Sequence, residues 1–189
     1  DPAEIDYVFC SHLHVDHIGW FTELRDGRWA PTFPNAKYLM ARREFDDWNP
    51  ATRTLPKLPL QGDCFADCVT PIVDSGQAVM VDDGHEIDAG LTIEASHGHT
   101  LGHCSVRATS RGETGIFCGD VMHSPIEMTY PHVNTYACED QDAARASRRR
   151  LLEEAAEFGH ALLPAHFPDP YTMCRVRSTA DAFAVVRIE

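Results

Sequence analysis

No stretch of this 189-residue chain approaches the roughly 18 consecutive apolar residues of a membrane-spanning helix. No basic-then-apolar leader opens it either. Cationic side chains are scarce, with 16 Lys and Arg against 29 Asp and Glu and a formal net charge of −13. Nucleic acids and anionic membranes are engaged through basic excess, so neither is an expected partner. Internal repeats and low-complexity tracts are lacking, which sets aside solenoids and disordered linkers. An initiator methionine is lacking too. The chain opens at Asp1-Pro-Ala-Glu-Ile-Asp6 and enters a strand almost at once, which reads as a chain with an N-terminal portion before it.

Cysteine is present, but not as a framework. The seven residues Cys10, Cys64, Cys68, Cys104, Cys118, Cys138 and Cys174 are odd in number and scattered, unlike the disulfide lattice of a small secreted domain. Reduced thiols and a cytoplasmic location are therefore expected. Cys64 and Cys68 have three residues between them and no second pair follows, so they read as two helix-surface thiols one turn apart.

What remains is an ordinary globular balance, 43% hydrophobic and 24% charged, of a length suited to one domain over residues 1–189. Ile5 to Cys10 reads as a buried strand, Trp20 to Pro34 as an aromatic- and proline-rich loop able to wall a pocket, and Ala36 to Ala41 as a second strand. Arg43 to Trp48 reads as a helical turn, and the three prolines between Pro50 and Pro59 mark an irregular segment. A helix is predicted over Asp63 to Ser75 with Phe65, Cys68, Val69 and Ile72 on one face. Short strands follow at Val79 to Val81, Glu86–Ile87, Leu91 to Glu94, Cys104 to Arg107 and Gly115 to Cys118. A long helix spans Asp140 to Phe158, its inner face drawn through Ala143, Ala146, Leu151, Ala155 and Phe158, with Gly159 as its cap; the strand Ala161 to Leu163 comes after. Helices set between groups of strands predict an α/β fold with mixed β-sheets.

The chemistry concentrates in histidine and aspartate. His12, His14, Asp16 and His17 fall within six residues, just after the first strand. On extended backbone His12 and His14 point to one side, and a turn after them swings Asp16 and His17 toward a neighbouring centre. Imidazole with carboxylate suits zinc, iron or manganese. Three more candidates stand where strands end: His99 in Ser96-His-Gly-His-Thr-Leu-Gly-His103, Asp120 in Cys118-Gly-Asp120, and His166 in Pro164-Ala-His166. Singly, an Asp after Gly is a turn residue and a His after a strand is a surface residue. Their repeated placement at strand ends tips the reading toward ligands.

In this order the motifs resemble the metallo-β-lactamase superfamily: His-x-His-x-Asp-His, then Gly-His-Thr-x-Gly-His, then Gly-Asp, then a late His. The resemblance covers nearly the whole chain. It implies the αββα sandwich of that family, here without the strands that normally precede the motif. It implies a metallo-hydrolase with two divalent ions, zinc first and iron, manganese or cobalt as alternatives. His12, His14 and His99 would hold one ion, Asp16, His17 and His166 the other, and Asp120 would bridge them, with His103 supporting the loop. A hydroxide shared by the ions would attack a small-molecule substrate, Asp16 would orient it or pass its proton on, and a homodimer is allowed.

Within the superfamily, His14 stands where flavin-linked di-iron enzymes usually carry Glu, and Asp120 stands where true β-lactamases lack it. Asp16, His17 and His166 complete a second ligand set that single-iron persulfide oxygenases leave unused. His123, three residues after Asp120, is similar to the methyl parathion hydrolase and aryl-lactonase branch, where acyl-homoserine lactonases usually place Tyr. Ester or lactone hydrolysis is therefore expected first and organophosphate triester hydrolysis second. A non-catalytic metal-binding domain and an iron-dependent oxygen-using enzyme are the rival classes. Trp20 is as readily a substrate wall as a core residue, whereas Phe21, Trp29, Met122 and Met128 read as core.

Overall fold

The computed structural model describes residues 1–53, 55–56, 61–180 and 182–188. Of the proline-rich stretch, residues 54 and 57–60 lie outside them, Pro59 included. The chain forms two compact units, Asp1–Asp82 and Asp83–Glu189, each with its own hydrophobic core.

In the first unit, β1 (Tyr7–Phe9) leads through the histidine-rich stretch into a single helical turn, α1 (Val15–Ile18). β2 (Thr22–Arg25) and β3 (Arg28–Pro31) form a hairpin where the sequence reads as an irregular loop. Its turn is Asp26-Gly27, with φ of 50° and 75°, the paired left-handed conformation that matches the twist of the flanking strands. β4 (Lys37–Ala41) and α2 (Arg42–Trp48) follow; then a π-helical turn, Phe65–Val69, runs into α3 (Thr70–Asp74). With β5 (Ala78–Val81) the sheet is parallel, in the order β1-β4-β5.

Leu13, Ile18, Tyr38, Met40, Trp48, Phe65, Val69 and Ile72 fill the core of this unit. Phe65, Cys68, Val69 and Ile72 all turn inward, as their helical spacing predicts. Cys64 and Cys68, expected on a helix surface, are buried in this core instead. The expected burial of the first strand is only partial, Tyr7 being 45% exposed.

The second unit is a seven-stranded mixed sheet, ordered β12-β11-β10-β9-β8-β7-β6. Its strands are β6 (Glu86–Asp88), β7 (Leu91–Ala95), β8 (Cys104–Ser110) and β9 (Glu113–Gly119). The short α4 (Ile126–Thr129) and the long α5 (Gln141–Phe158) come next, then β10 (Ala161–Pro164), β11 (Cys174–Ser178) and β12 (Phe183–Arg187). Neighbours pair antiparallel except β9 with β10. Because β7 and β9 each run opposite to β8, the strands β7, β9 and β10 all point the same way. The loops that leave their C-terminal ends therefore emerge at one edge of the sheet.

Asp140 caps α5 by accepting from the N–H of Asp142 and Ala143, and Gly159 closes it. The buried face is Ala144, Arg148, Leu151, Leu152 and Ala155, one step round the helix from the face drawn in sequence; Ala146 and Phe158 are exposed. Among the described residues no helix is long and apolar enough to cross a membrane.

Candidate metal centre

The motif of the first unit sits where β1 ends. His12 and His14 are buried, and their ring centroids lie 4.5 Å apart; His17 comes within 4.4 Å of His12. His14 precedes α1, and the N–H of His17 reaches back to its carbonyl at 3.0 Å, so the helical turn brings His17 round beside His12. The loop is held from several sides. The N–H of Leu13 donates to the buried carboxylate of Glu44 on α2 at 2.8 Å, that of Val15 to Gln61 at 2.9 Å, and Ser11 Oγ lies 3.0 Å from His12 Nδ1. Trp48 packs edge-on to His14 at 5.4 Å. Asp16 is exposed, with Oδ2 3.5 Å from His17 Nε2.

In the second unit the shared strand direction brings three ligand candidates to one edge: His99 after β7, Asp120 after β9 and His166 after β10. Asp120 is buried. Its Oδ2 lies 3.0 Å from Nε2 of both His123 and His166 and 3.4 Å from Nε2 of His99. The His123 and His166 rings stack at 5.2 Å. Donor atoms of His99, Asp120 and His123 all lie within 4.8 Å of one another, close enough to converge on one ion. One carboxylate oxygen faced by three imidazole nitrogens is the mixed N/O set that divalent zinc, iron or manganese accepts, so these residues fit such an ion.

The loop carrying His99 is clamped from behind. Gly98 has φ of 132°, and a Cβ there would run into the backbone of Ala143 and Ala144 at the start of α5. The N–H groups of Glu139 and Asp140 donate to the carbonyls of His99 and Gly98, each at 3.0 Å. Cys138 Sγ lies 3.8 Å from His99 Nδ1, and burial pushes its thiol up to about 11. The N–H of Asp120 donates to His103 Nε2 at 3.0 Å, which fixes that nitrogen as an acceptor. The proton of His103 then sits on Nδ1, 2.8 Å from Ser96 Oγ, which in turn lies 2.8 Å from Ser105 Oγ.

Two residues that sequence reasoning passed over complete the surroundings of His123. Glu127 Oε2 accepts from the N–H of His123 at 2.5 Å and of Ser124 at 3.1 Å, and Arg148, wholly buried on α5, lies 3.1 Å from Glu127 Oε1. Burial pulls the Arg148 guanidinium down. The signal was an arginine on the apolar stripe of α5 and a glutamate four residues after His123. Of the candidate wall residues, Phe21, Met122 and Met128 are core; Trp20 is 79% exposed, and so is Trp29 in part, contrary to its reading as core.

A sequence profile of the metallo-beta-lactamase superfamily matches residues 1–170. N-acyl homoserine lactonase AttM of Azorhizobium caulinodans is 43% identical over 53 residues, 25% of this chain and 17% of that protein. AttM of Agrobacterium fabrum is 42% identical over the same length and shares. Among solved structures, the hydrolase AbOPH of the beta lactamase superfamily superposes with a TM-score of 0.87 at 23% identity, covering 100% of this chain and 66% of its own. AidC, a dizinc quorum-quenching lactonase in complex with a homoserine product, gives 0.82 at 21%, with the same coverage. The chain thus spans 66% of these two structures, and its match reaches over 17% of the curated relatives. At these identities the superpositions speak to the fold.

Proposed function

The chain belongs to the metallo-β-lactamase superfamily, and from that premise we propose that it is a dinuclear metal-dependent hydrolase that cleaves a small-molecule ester or lactone. The observation that carries the reading is the buried Asp120 carboxylate, with His99, His123 and His166 all turned toward one of its oxygens. By the motif order of the family, His12, His14 and His99 would hold one ion and Asp16, His17 and His166 the other, with Asp120 available to both. When bound, two such ions make hydroxide available near neutral pH and draw charge from the substrate oxygen.

The chain's own residues do the rest. The N–H of Asp120, held on His103, orients its carboxylate. Asp16, with its carboxylate exposed, orients the attacking water or hands its proton to the leaving alkoxide. With the Asp120 carboxylate taken up by metal, Nε2 of His123, now 3.0 Å from it, would meet the oxygen that gains charge in the transition state, and Trp20 offers an apolar surface to the acyl or aryl group. The lactonase names of the AttM proteins and AidC support the lactone side of this reading. A second reading, phosphotriester hydrolysis, is favoured by His123 at the third position after Asp120, because the same donors serve a phosphoryl oxygen.

The test is hydrolysis by the metal-loaded protein across an aryl ester, an aryl lactone, an acyl-homoserine lactone, a phosphotriester, a glutathione thioester and a cephalosporin, with metal counted per chain. Two ions per chain and turnover of an ester or lactone are expected. Turnover of the phosphotriester alone selects the second reading, and activity that needs dioxygen belongs to an iron-dependent oxygen-using enzyme. No cleavage above a His12→Ala control refutes the hydrolase.

A further inference from the structure

The segment 121–133 carries His123 between β9 and α5, and a buried ion pair braces it. Arg148 donates from Nε to the carbonyl of Val121 at 3.0 Å and from Nη1 to those of Pro131, at 3.0 Å, and Val133. One guanidinium thus grips both ends of the segment. Its counter-ion Glu127 grips the middle, taking the N–H of His123 and Ser124 on Oε2, which also lies 3.9 Å from His123 Nδ1. On its far side His123 Nε2 meets Asp120 Oδ2 at 3.0 Å. An apolar pair of the same volume would fill this space without taking two charges out of water. What the ion pair adds is direction, since the guanidinium fork and the carboxylate oxygens accept partners only along set lines.

We propose that Glu127, locked by Arg148, is a positioning residue that aims the His123 ring at the substrate oxygen. This rests on the hydrolase reading above, in which His123 touches substrate. The carboxylate fixes the backbone of His123 through two N–H groups and stands behind the ring, so that Nε2 keeps one direction. Displacement of a group that acts at the reacting oxygen lowers turnover far more than it weakens ground-state binding.

The experiment is a double-mutant cycle on the zinc-loaded protein. Glu127→Gln keeps an oxygen for the two N–H groups while removing the charge, and should lower kcat about tenfold with KM within about twofold and zinc content unchanged. In a His123→Ala background the same substitution should change kcat by less than about twofold, although it lowers the melting temperature equally in both backgrounds. A merely structural role predicts the same kcat loss with and without His123, and that result overturns the proposal. Arg148→Lys, which keeps the charge and loses the fork, serves where Glu127→Gln does not fold. A readout independent of turnover is the NMR relaxation of the His123 ring, identified by its loss in His123→Ala. The ring should be rigid in the parent and mobile in Glu127→Gln; equal mobility sinks the positioning role. If the parent cleaves nothing, the hydrolase reading falls, and the ring measurement still decides whether Glu127 positions His123.

Discussion

Gly98→Ala tests how the His99 loop is held. At φ of 132° the backbone of residue 98 lies where an L side chain is strained, and the new Cβ meets the backbone of Ala143 and Ala144 rather than a side chain that can swing away. The loop must move. Its bonds to the entry of α5 then fail: Asp140 N–H to Gly98 O, Glu139 N–H to His99 O, and Leu101 N–H to Glu139 Oε2 at 3.2 Å. At about 1 kcal/mol for each of these, and about 1–3 kcal/mol for the enforced backbone conformation, the loss comes to about 4–6 kcal/mol. Natural domains hold only about 5–15 kcal/mol, so the variant sits near the edge of folding. Zinc affinity should weaken by at least about tenfold, because His99 leaves with its loop. Urea unfolding followed by circular dichroism, with and without zinc, and a competitive zinc titration measure both. An unfolding free energy within about 1 kcal/mol of the parent, with zinc bound as tightly, would refute the claim that α5 dictates the loop's course.

Arg148→Met should cost about 3–5 kcal/mol by leaving the buried Glu127 carboxylate without its counter-ion. Adding Glu127→Leu should restore a good part of that in the same urea titration, and a double variant no more stable than the single one would show that the charge pair is not the source. Burial pushes the thiols of Cys118, Cys138 and Cys174 from the ordinary 9.0 up to about 12, 11 and 11. A raised folded-state value favours the protonated form, so this contribution is complete below about pH 9 and is lost as pH rises through 11 to 12. Stability in urea should therefore be level up to about pH 9 and fall from there to about pH 12; replacing Cys118 and Cys174 by Ala should flatten this alkaline decline relative to each variant's own plateau.

Much of the arrangement was legible in the sequence because strands and the residues at their ends carry separate signals. Short apolar runs mark β1, β4, β5, β7, β8, β9 and β10, and His99, Asp120 and His166 stand within four residues of the ends of three of them. The register that turns the three loops to one edge is a tertiary fact, set by pairings far apart in the chain. At the hairpin of β2 and β3, the proline and aromatic content of residues 20–34 outweighed the two-residue Asp26-Gly27 signal. β11 went unread because Arg175 and Arg177 alternate with Cys174 and Val176, a pattern too short and too charged to stand out; β12 went unread as well. Arg148 was hidden by its own type: an arginine on a helix reads as solvent-facing until its acceptors, supplied by residues 121, 131 and 133, are known.

The common direction of β7, β9 and β10 also divides the seven-stranded sheet into two edges with different freedoms. The edge where these strands end carries His99, Asp120 and His166. At the opposite edge the chain only reverses, through Ala89-Gly90 before β7, Arg111-Gly112 before β9 and Gly159-His160 before β10. Those turns lie at the ends of the strands opposite the ones that lead to His99, Asp120 and His166. Lengthening one of them, or grafting a peptide or a reporter domain there, alters the molecule on the side remote from its chemistry. The same sheet that holds the donors of the second unit in place thus leaves a margin on which the chain can be rebuilt without disturbing them.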